Sequence, residues 1–211
     1  MLKTNIKASS IGNLSDARYF AAVEVQWLGF ALSPSDEAYL APHLAKVMKE
    51  WIEGPKLIGE FALEDSATIA AQVADIGLDA IQVPIFATLD LTLIHVPIFR
   101  TIVIERHTQA ADLHHFLETF KAETTYFILD FSKNNITWQD LMLHEQLNIE
   151  LLQRVCQQYK IWLQIDCLPK ELNSILQAVQ PFGLCVRGGE EESVGIKSFD
   201  ELQEWFDVLE V

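Results

Sequence analysis

The sequence predicts a single (β/α)8 barrel that spans residues 1–211, and two observations lead to this fold class. Eight short apolar runs recur along the chain, and successive runs begin about 25 residues apart, the length of a strand, a loop and a crossover helix. Most runs are near-continuous rather than alternating, which is typical of strands buried on both faces of a parallel sheet. A doubly wound open sheet needs only about five or six strands, so eight units favour the barrel.

The strands and helices follow from these runs in chain order. The predicted strands are 4–8, 26–32, 56–61, 79–83, 99–104, 126–130, 161–166 and 183–186. Segments with helical periodicity predict helices at 16–23, 66–76, 112–120, 148–159, 169–179 and 199–209. Between 84 and 97 we expect a poorly formed helix, because Thr88, Thr92 and Pro97 disfavour one.

Charge limits the classes of partner. The chain carries 30 acidic and 15 basic residues, a formal charge of −15. Such a surface repels phosphate backbones and anionic lipids, so we expect small molecules or proteins as partners, and neither nucleic acid nor membrane. The oligomeric state is left open.

The amino terminus and the cysteines bear on the compartment. Residues 1–7 lack the apolar core and cleavage site of a secretory signal, and the longest apolar run, 81–91, is interrupted by Asp90 well short of a bilayer's span. Cys156, Cys167 and Cys185 are odd in number and have no metal-binding spacing, which favours reduced thiols. We therefore expect a cytoplasmic protein.

Candidate functional residues are the polar side chains at the carboxyl ends of the strands, where parallel barrels carry their sites. They are Ser9, Ser10, Ser33, Glu60, Gln82, Glu105, Arg106, Asp130, Asp166, Cys167, Arg187, Gly188 and Gly189.

The first strand and the turn after it carry a motif. Residues 7–17 read Lys-Ala-Ser-Ser-Ile-Gly-Asn-Leu-Ser-Asp-Ala. This resembles Lys-Ile-Cys-Gly-Ile-Thr-x-x-x-Asp-Ala, the opening motif of the phosphoribosylanthranilate isomerases, barrel enzymes of tryptophan biosynthesis. Further segments resemble the same family in order: 28–30 its second strand, 78–83 its fourth, 127–130 its sixth, and 195–198 the entry to its last helix. The resemblance spans nearly the whole chain.

The resemblance implies an aldose–ketose isomerase that performs an Amadori rearrangement without a cofactor or a metal. An acid protonates the ribose ring oxygen, and a base removes a proton from the neighbouring carbon. The family's acid corresponds to Asp130, whereas the position of its base, a cysteine, is Ser9. A serine hydroxyl acts as a base only if another group takes its proton, and no histidine stands at a strand end as its partner.

Other positions also depart from the family. Ala38 replaces an arginine that would bind the anthranilate carboxylate, and Asp166 and Cys167 replace paired glycines after the seventh strand. We therefore expect an isomerase-like protein with a degenerate active site and weak or lost activity. The alternative is a non-catalytic paralogue that binds a metabolite or a protein at the barrel mouth.

Several roles stay open at this point. Asp130 is either the catalytic acid or a structural carboxylate, and Arg187 with Gly188 and Gly189 either binds a substrate anion or pairs with the acidic run 190–192. Gln82 either contacts a ligand or bonds within the barrel. We predict that the acidic run is a solvated loop. We expect no metal site at His107, His114 and His115, because they lack the i,i+4 spacing of a metal-binding pair on a helix.

Overall fold

A closed barrel of eight parallel strands forms the centre of the molecule. The computed structural model describes residues 1–143, 147–188, 191–193, 196–197 and 199–211, with only the backbone described for 191–193 and 196–197. The strands follow one another around the barrel in chain order, and β1 pairs with β8 from Asn5–Gly183 to Ser9–Arg187. The predicted (β/α)8 fold class is confirmed.

The barrel strands lie close to their predicted positions. They are β1 (Asn5–Ser9), β2 (Trp27–Ala31), β3 (Lys56–Glu60), β4 (Ala80–Pro84), β5 (Ile98–Val103), β6 (Tyr126–Asp130), β7 (Ile161–Gln164) and β8 (Gly183–Arg187). The largest difference at any end is two residues, in β7. There the chain leaves the barrel early, and Asp166 instead forms an isolated bridge with Thr137.

Helices connect most of the strands. They are α1 (Leu14–Ala22), α2 (Pro42–Lys49), α3 (Ser66–Gln72), α4 (Ala110–Phe120), α5 (Trp138–Met142), α6 (Ile149–Gln158), α7 (Leu172–Val179) and α8 (Asp200–Leu209). A π-helical turn, Val73–Gly77, extends α3, and a 3-10 turn, Pro169–Glu171, precedes α7. All six predicted helices are present, whereas α2, α5 and a short antiparallel pair, β9 (Glu191–Ser193) with β10 (Ile196–Lys197), were not predicted.

Side-chain caps fix where several helices begin. The Asn13 side chain accepts a hydrogen bond from the Asp16 backbone N–H, and Asn148 does the same for Leu151. These caps satisfy backbone donors that have no partner within the helix. Because α1 follows β1 directly, its cap also orders the loop that carries Ser10.

The connection between β4 and β5 contains no helix, where a poorly formed one was expected. A buried arginine of β5, Arg100, supports it instead: its Nη1 donates to the carbonyl oxygens of Ile85 and Ala87 at 3.1 and 2.8 Å. Its Nη2 lies 3.1 Å from a carboxylate oxygen of Glu123, and its guanidinium stacks over Phe120. One charged side chain thus supplies the polar contacts that this loop needs.

The barrel interior is filled from the amino-terminal end by an apolar layer. It consists of Trp27, Ile58, Ala80, Phe99, Ile128, Trp162 and Cys185. Five inward residues stand two positions later on their strands, at the opposite end of the barrel: Glu60, Gln82, Asp130, Gln164 and Arg187. The alternation of the strands therefore places a polar mouth directly above an apolar floor. Within the described residues, no helix is long and apolar enough to cross a membrane.

Candidate active site at the barrel mouth

A cavity of about 1280 Å³ opens at the carboxyl ends of the strands. Its walls include most of the predicted strand-end residues: Ser9, Ser10, Ser33, Glu60, Gln82, Glu105, Asp130, Arg187 and Gly188. Arg106 lies outside this lining, and its guanidinium donates to the Asn135 carbonyl instead. These residues were predicted from their position at the carboxyl ends of the strands, and most of them line one cavity in the structure.

A second cavity, of about 590 Å³, lies beside the first between the loops after β7 and β8. Asp166 and Cys167 line it, and it shares Gln164, Arg187 and Gly188 with the larger cavity. Gly189 falls outside the described residues, as does Glu190 of the acidic run, so the proposed pairing of Arg187 with that run remains a prediction.

Asp130 lies at the end of β6 with only 5% of its surface exposed. Its Oδ1 accepts a hydrogen bond from the Lys133 backbone N–H at 3.0 Å. Burial raises the pKa of its carboxyl above the ordinary value, against the opposing effects of that bond and of the Arg187 and Lys133 charges. A carboxyl that keeps its proton more readily than usual suits the role of a general acid.

Ser9 is buried on the opposite part of the wall, at the end of β1. Its Oγ accepts a hydrogen bond at 2.8 Å from Nζ of Lys7, a fully buried side chain of the same strand. Among the described residues, no carboxylate or imidazole accepts a hydrogen bond from the Ser9 hydroxyl. Ser9 therefore faces a cation rather than a base, and an ammonium group cannot take its proton.

Glu60 completes a buried charged cluster with Lys7. Its Oε1 accepts a short hydrogen bond from Lys7 Nζ, and its Oε2 accepts from the Ser10 backbone N–H and hydroxyl at 3.0 and 3.1 Å. Ser10 has a φ of 55°, in the left-handed region, and this aims both of its donors at one carboxylate oxygen. Gly29 provides the space, because a Cβ there would lie 2.0 Å from Glu60 Oε1.

The sequence indicated Glu60 but not this partnership. Lys7 and Glu60 are 53 positions apart, and they meet only because β1 and β3 both flank β2 with these side chains pointing inward. The sequence did contain a clue to this pair. Lys7 stands two residues before Ser9 on β1, so both side chains point into the barrel, and a buried ammonium needs a partner of opposite charge.

Two amide side chains face the cavity with unused hydrogen-bonding groups. Gln82 Oε1 is buried and has no hydrogen-bond partner in the described part of the chain. Gln164 is only 6% exposed, and its side chain likewise makes no hydrogen bond to any described residue. Gln164 was missed because β7 was predicted to end at Asp166, two residues too late.

Cys185 lies beneath the polar mouth, near Lys7, Glu60 and Asp130. Burial raises the pKa of its thiol to about 12, and that of Cys167 to about 11. Both are free thiols. Neither is a nucleophile or a base at neutral pH, because thiolates carry that reactivity.

Ala38, at the position of the family's arginine, and the three histidines were expected to bind neither an anion nor a metal. Ala38 lines the cavity, and its backbone N–H donates to Asp36. Within the ranges that the structure describes, no three His, Cys, Asp or Glu side chains converge to form a metal site. His107, His114 and His115 are exposed.

The fold and its mouth define a (β/α)8 barrel with a polar cavity at the carboxyl ends of its strands. Known structures with this architecture include phosphoribosylanthranilate isomerases: that of Thermotoga maritima is 19% identical, with a TM-score of 0.75 and 98% of each chain covered. The protein of that name from Thermus thermophilus is 19% identical, with a TM-score of 0.74 and 98% of each chain covered. The sequence matches no protein-family model and no curated protein. At this identity the likeness shows the fold.

Proposed function

We propose that the barrel mouth is a small-molecule site of the phosphoribosylanthranilate isomerase type that retains the acid and lacks the base, so that isomerisation is slow or lost. One observation carries this proposal: buried Asp130 has the raised pKa that an acid needs, whereas Ser9 accepts a hydrogen bond from the Lys7 ammonium. The Amadori rearrangement needs both proton transfers, and only one is provided.

Two positions that would contact the substrate's anionic groups differ from those of the family. Ala38 offers no charge where the family has an arginine, and Asp166 puts a carboxylate after β7, where barrels often bind phosphate. Arg187 is the cation that remains near that end for an anion. Ground-state binding is therefore expected to be weak as well.

A non-catalytic protein that binds a metabolite or a partner protein at the same mouth is the second candidate. The buried Gln82 Oε1 favours it, because it has no partner among the described residues and such an atom is costly unless a ligand completes its hydrogen bond. In either case we propose a cytoplasmic protein whose net charge of −15 disfavours nucleic acid and anionic membranes.

The test is a turnover assay with freshly generated phosphoribosylanthranilate, alongside calorimetric titration of reduced 1-(o-carboxyphenylamino)-1-deoxyribulose 5-phosphate. One known phosphoribosylanthranilate isomerase structure, 17% identical to this chain, contains that compound. Slow turnover that disappears in Asp130→Asn supports an isomerase with a weakened base. Fast turnover that Asp130→Asn leaves unchanged contradicts the proposal, and binding without turnover favours the second candidate.

A further inference from the structure

We propose that the mouth selects a polyhydroxylated ligand that carries an amine, and that it rejects phosphorylated ligands. This inference rests on the second candidate function, a non-catalytic binding site at the mouth, and specifies the class of its ligand. Three features of the described residues lead to it: the charge of the cavity walls, the use of backbone N–H groups at the mouth, and the unused side-chain atoms inside it.

The walls of the larger cavity are strongly acidic. Asp16 and Asp130 are its buried carboxylates, Glu60 is partly buried, and four more stand at its exposed rim: Asp36, Glu37, Glu105 and Asp112. Lys133 and Arg187 are the lysine and arginine that line it, and the Lys7 ammonium below is already paired with Glu60. A concave surface with this excess of negative charge raises the local concentration of cations.

Backbone N–H groups at the mouth already bind carboxylates of the chain itself. After β1 the N–H of Ser10 donates to Glu60, and after β2 that of Ala38 donates to Asp36. After β3 both Ala62 and Leu63 donate to Glu64.

The same holds on the other side of the barrel. The N–H of Lys133 donates to Asp130 after β6, and that of Leu168 donates to Glu171 after β7. Phosphate sites in barrels are built from such loop N–H groups, and in the described loops after β1, β2, β3, β6 and β7 carboxylates of the chain occupy the N–H groups named above. A phosphate would have to displace a carboxylate from each.

The atoms left without partners match a donor-rich ligand. Gln82 Oε1 and Thr101 Oγ1 have no partner among the described residues, and both side chains line the cavity. No described residue donates to Oδ2 of Asp130, and the Gln164 amide adds two further unused groups. A ligand hydroxyl can donate to Gln82 Oε1 and to Asp130 Oδ2, and it can donate to or accept from the Thr101 hydroxyl and the Gln164 amide. An ammonium group suits the carboxylates.

The experiment compares three probes that share one carbon chain: glucamine, sorbitol and sorbitol 6-phosphate. Each is titrated calorimetrically into the full chain at pH 7 and low salt. We expect glucamine to bind about tenfold more tightly than sorbitol, and sorbitol 6-phosphate to bind more weakly than sorbitol. Added NaCl should reduce the preference for glucamine, because salt screens the charges.

Two variants locate the effect. Asp130→Asn removes a buried charge from the mouth and should reduce the preference for glucamine severalfold. Gln164→Leu should weaken the binding of both glucamine and sorbitol while it leaves their ratio unchanged. Glu53→Gln removes one exposed charge before β3, at the opposite end of the barrel, and should change neither.

The inference is overturned if sorbitol 6-phosphate binds as tightly as glucamine, if glucamine and sorbitol bind equally, or if none of the three binds. The reduced anthranilate analogue separates this inference from the proposed function. Tight binding of that compound, which carries a carboxylate and a phosphate, supports the isomerase-type site and overturns the amine preference. A clear preference for glucamine without binding of the analogue supports the amine site and removes the isomerase.

Discussion

The Lys7 ammonium sets the chemistry that position 9 can perform. With serine at that position, the 2.8 Å hydrogen bond from Lys7 Nζ occupies an oxygen that has no proton acceptor of its own. The same ammonium would stabilise a thiolate, because a positive charge within hydrogen-bond distance lowers the pKa of a thiol. A cysteine at position 9 would therefore have the Lys7 ammonium beside it to stabilise its thiolate.

Position 9 is buried like Cys185 but lies within hydrogen-bond distance of the Lys7 ammonium, so Ser9→Cys is expected to introduce a thiol with a lower pKa than that of Cys185. The rate of its alkylation by iodoacetamide, measured against pH, should show an inflection at lower pH than in a variant without Lys7. The background is low, because burial raises the pKa of Cys156 and Cys185 to about 12 and of Cys167 to about 11. Ser9→Cys with Lys7→Met is the control, and equal inflections in the two variants would contradict this prediction. If the isomerase proposal holds, Ser9→Cys should also raise turnover.

Asp130 illustrates a conflict between stability and function. Its pKa is raised in the folded state, so its contribution to stability is present below the unfolded pKa of about 4 and is lost as the pH rises through the folded pKa. Asp130→Asn should stabilise the protein by about 1 kcal/mol at neutral pH and by nothing near pH 3. Urea denaturation at several pH values tests this, with Glu53→Gln as the control. A loss of stability at pH 7 would show that the Lys133 contact outweighs desolvation.

The buried pair of Lys7 and Glu60 should be strongly coupled. Glu60→Gln leaves the ammonium without its carboxylate and should cost about 2–4 kcal/mol of unfolding free energy. Lys7→Met combined with Glu60→Leu should recover most of that loss, because both charges then leave the interior together. Denaturation of Lys7→Met, Glu60→Leu and the double variant gives the coupling energy. Additive losses would mean that the two groups are independently solvated.

At the scale of elements, the sequence predicted the strands and helices that have a clear apolar pattern. It missed a helix whose apolar residues partly face solvent. All eight strands were predicted, because each is an apolar run between polar turns. Helix α2 was missed because it buries only Ala45 and Met48, while Leu44 and Val47 face solvent and blur its pattern. Trp51, just beyond it, is 66% exposed as well. The sequence predicted that the site lies at the strand ends. It did not predict the pair of Lys7 and Glu60, because these residues meet only in the closed barrel.

The β4–β5 connection shows how one side chain replaces an element. Arg100→Met should destabilise the protein by about 3 kcal/mol, because the Ile85 and Ala87 carbonyls and the Glu123 carboxylate all lose their partner. Hydrogen exchange should accelerate first in residues 85–97. Arg106→Met, at an exposed arginine in the next loop, should change stability by less than about 0.5 kcal/mol. Similar losses in both variants would contradict the supporting role of Arg100.

At the scale of the whole molecule, repulsion among acidic groups opposes the compact state. The chain has 30 acidic and 15 basic residues, and exposed pairs such as Lys46–Asp75 and Glu118–Lys121 offset little of that excess. The same negative charge that should attract a cationic ligand to the mouth therefore costs stability everywhere else.

Salt is consequently expected to stabilise the protein. Between about 10 and 150 mM NaCl the screening length falls from about 30 to about 8 Å, so repulsion between distant carboxylates weakens while contact pairs lose little. The melting temperature should rise by several degrees over this range. NaCl is the suitable salt, because sulfate would also stabilise through its exclusion from the surface. Glu53→Lys makes the net charge less negative by two and should raise the melting temperature at low salt while it reduces the effect of added salt. A melting temperature that falls with NaCl would mean that the ion pairs outweigh the repulsion, and the acidic mouth would then have to be stabilised locally by Lys7 and Arg187.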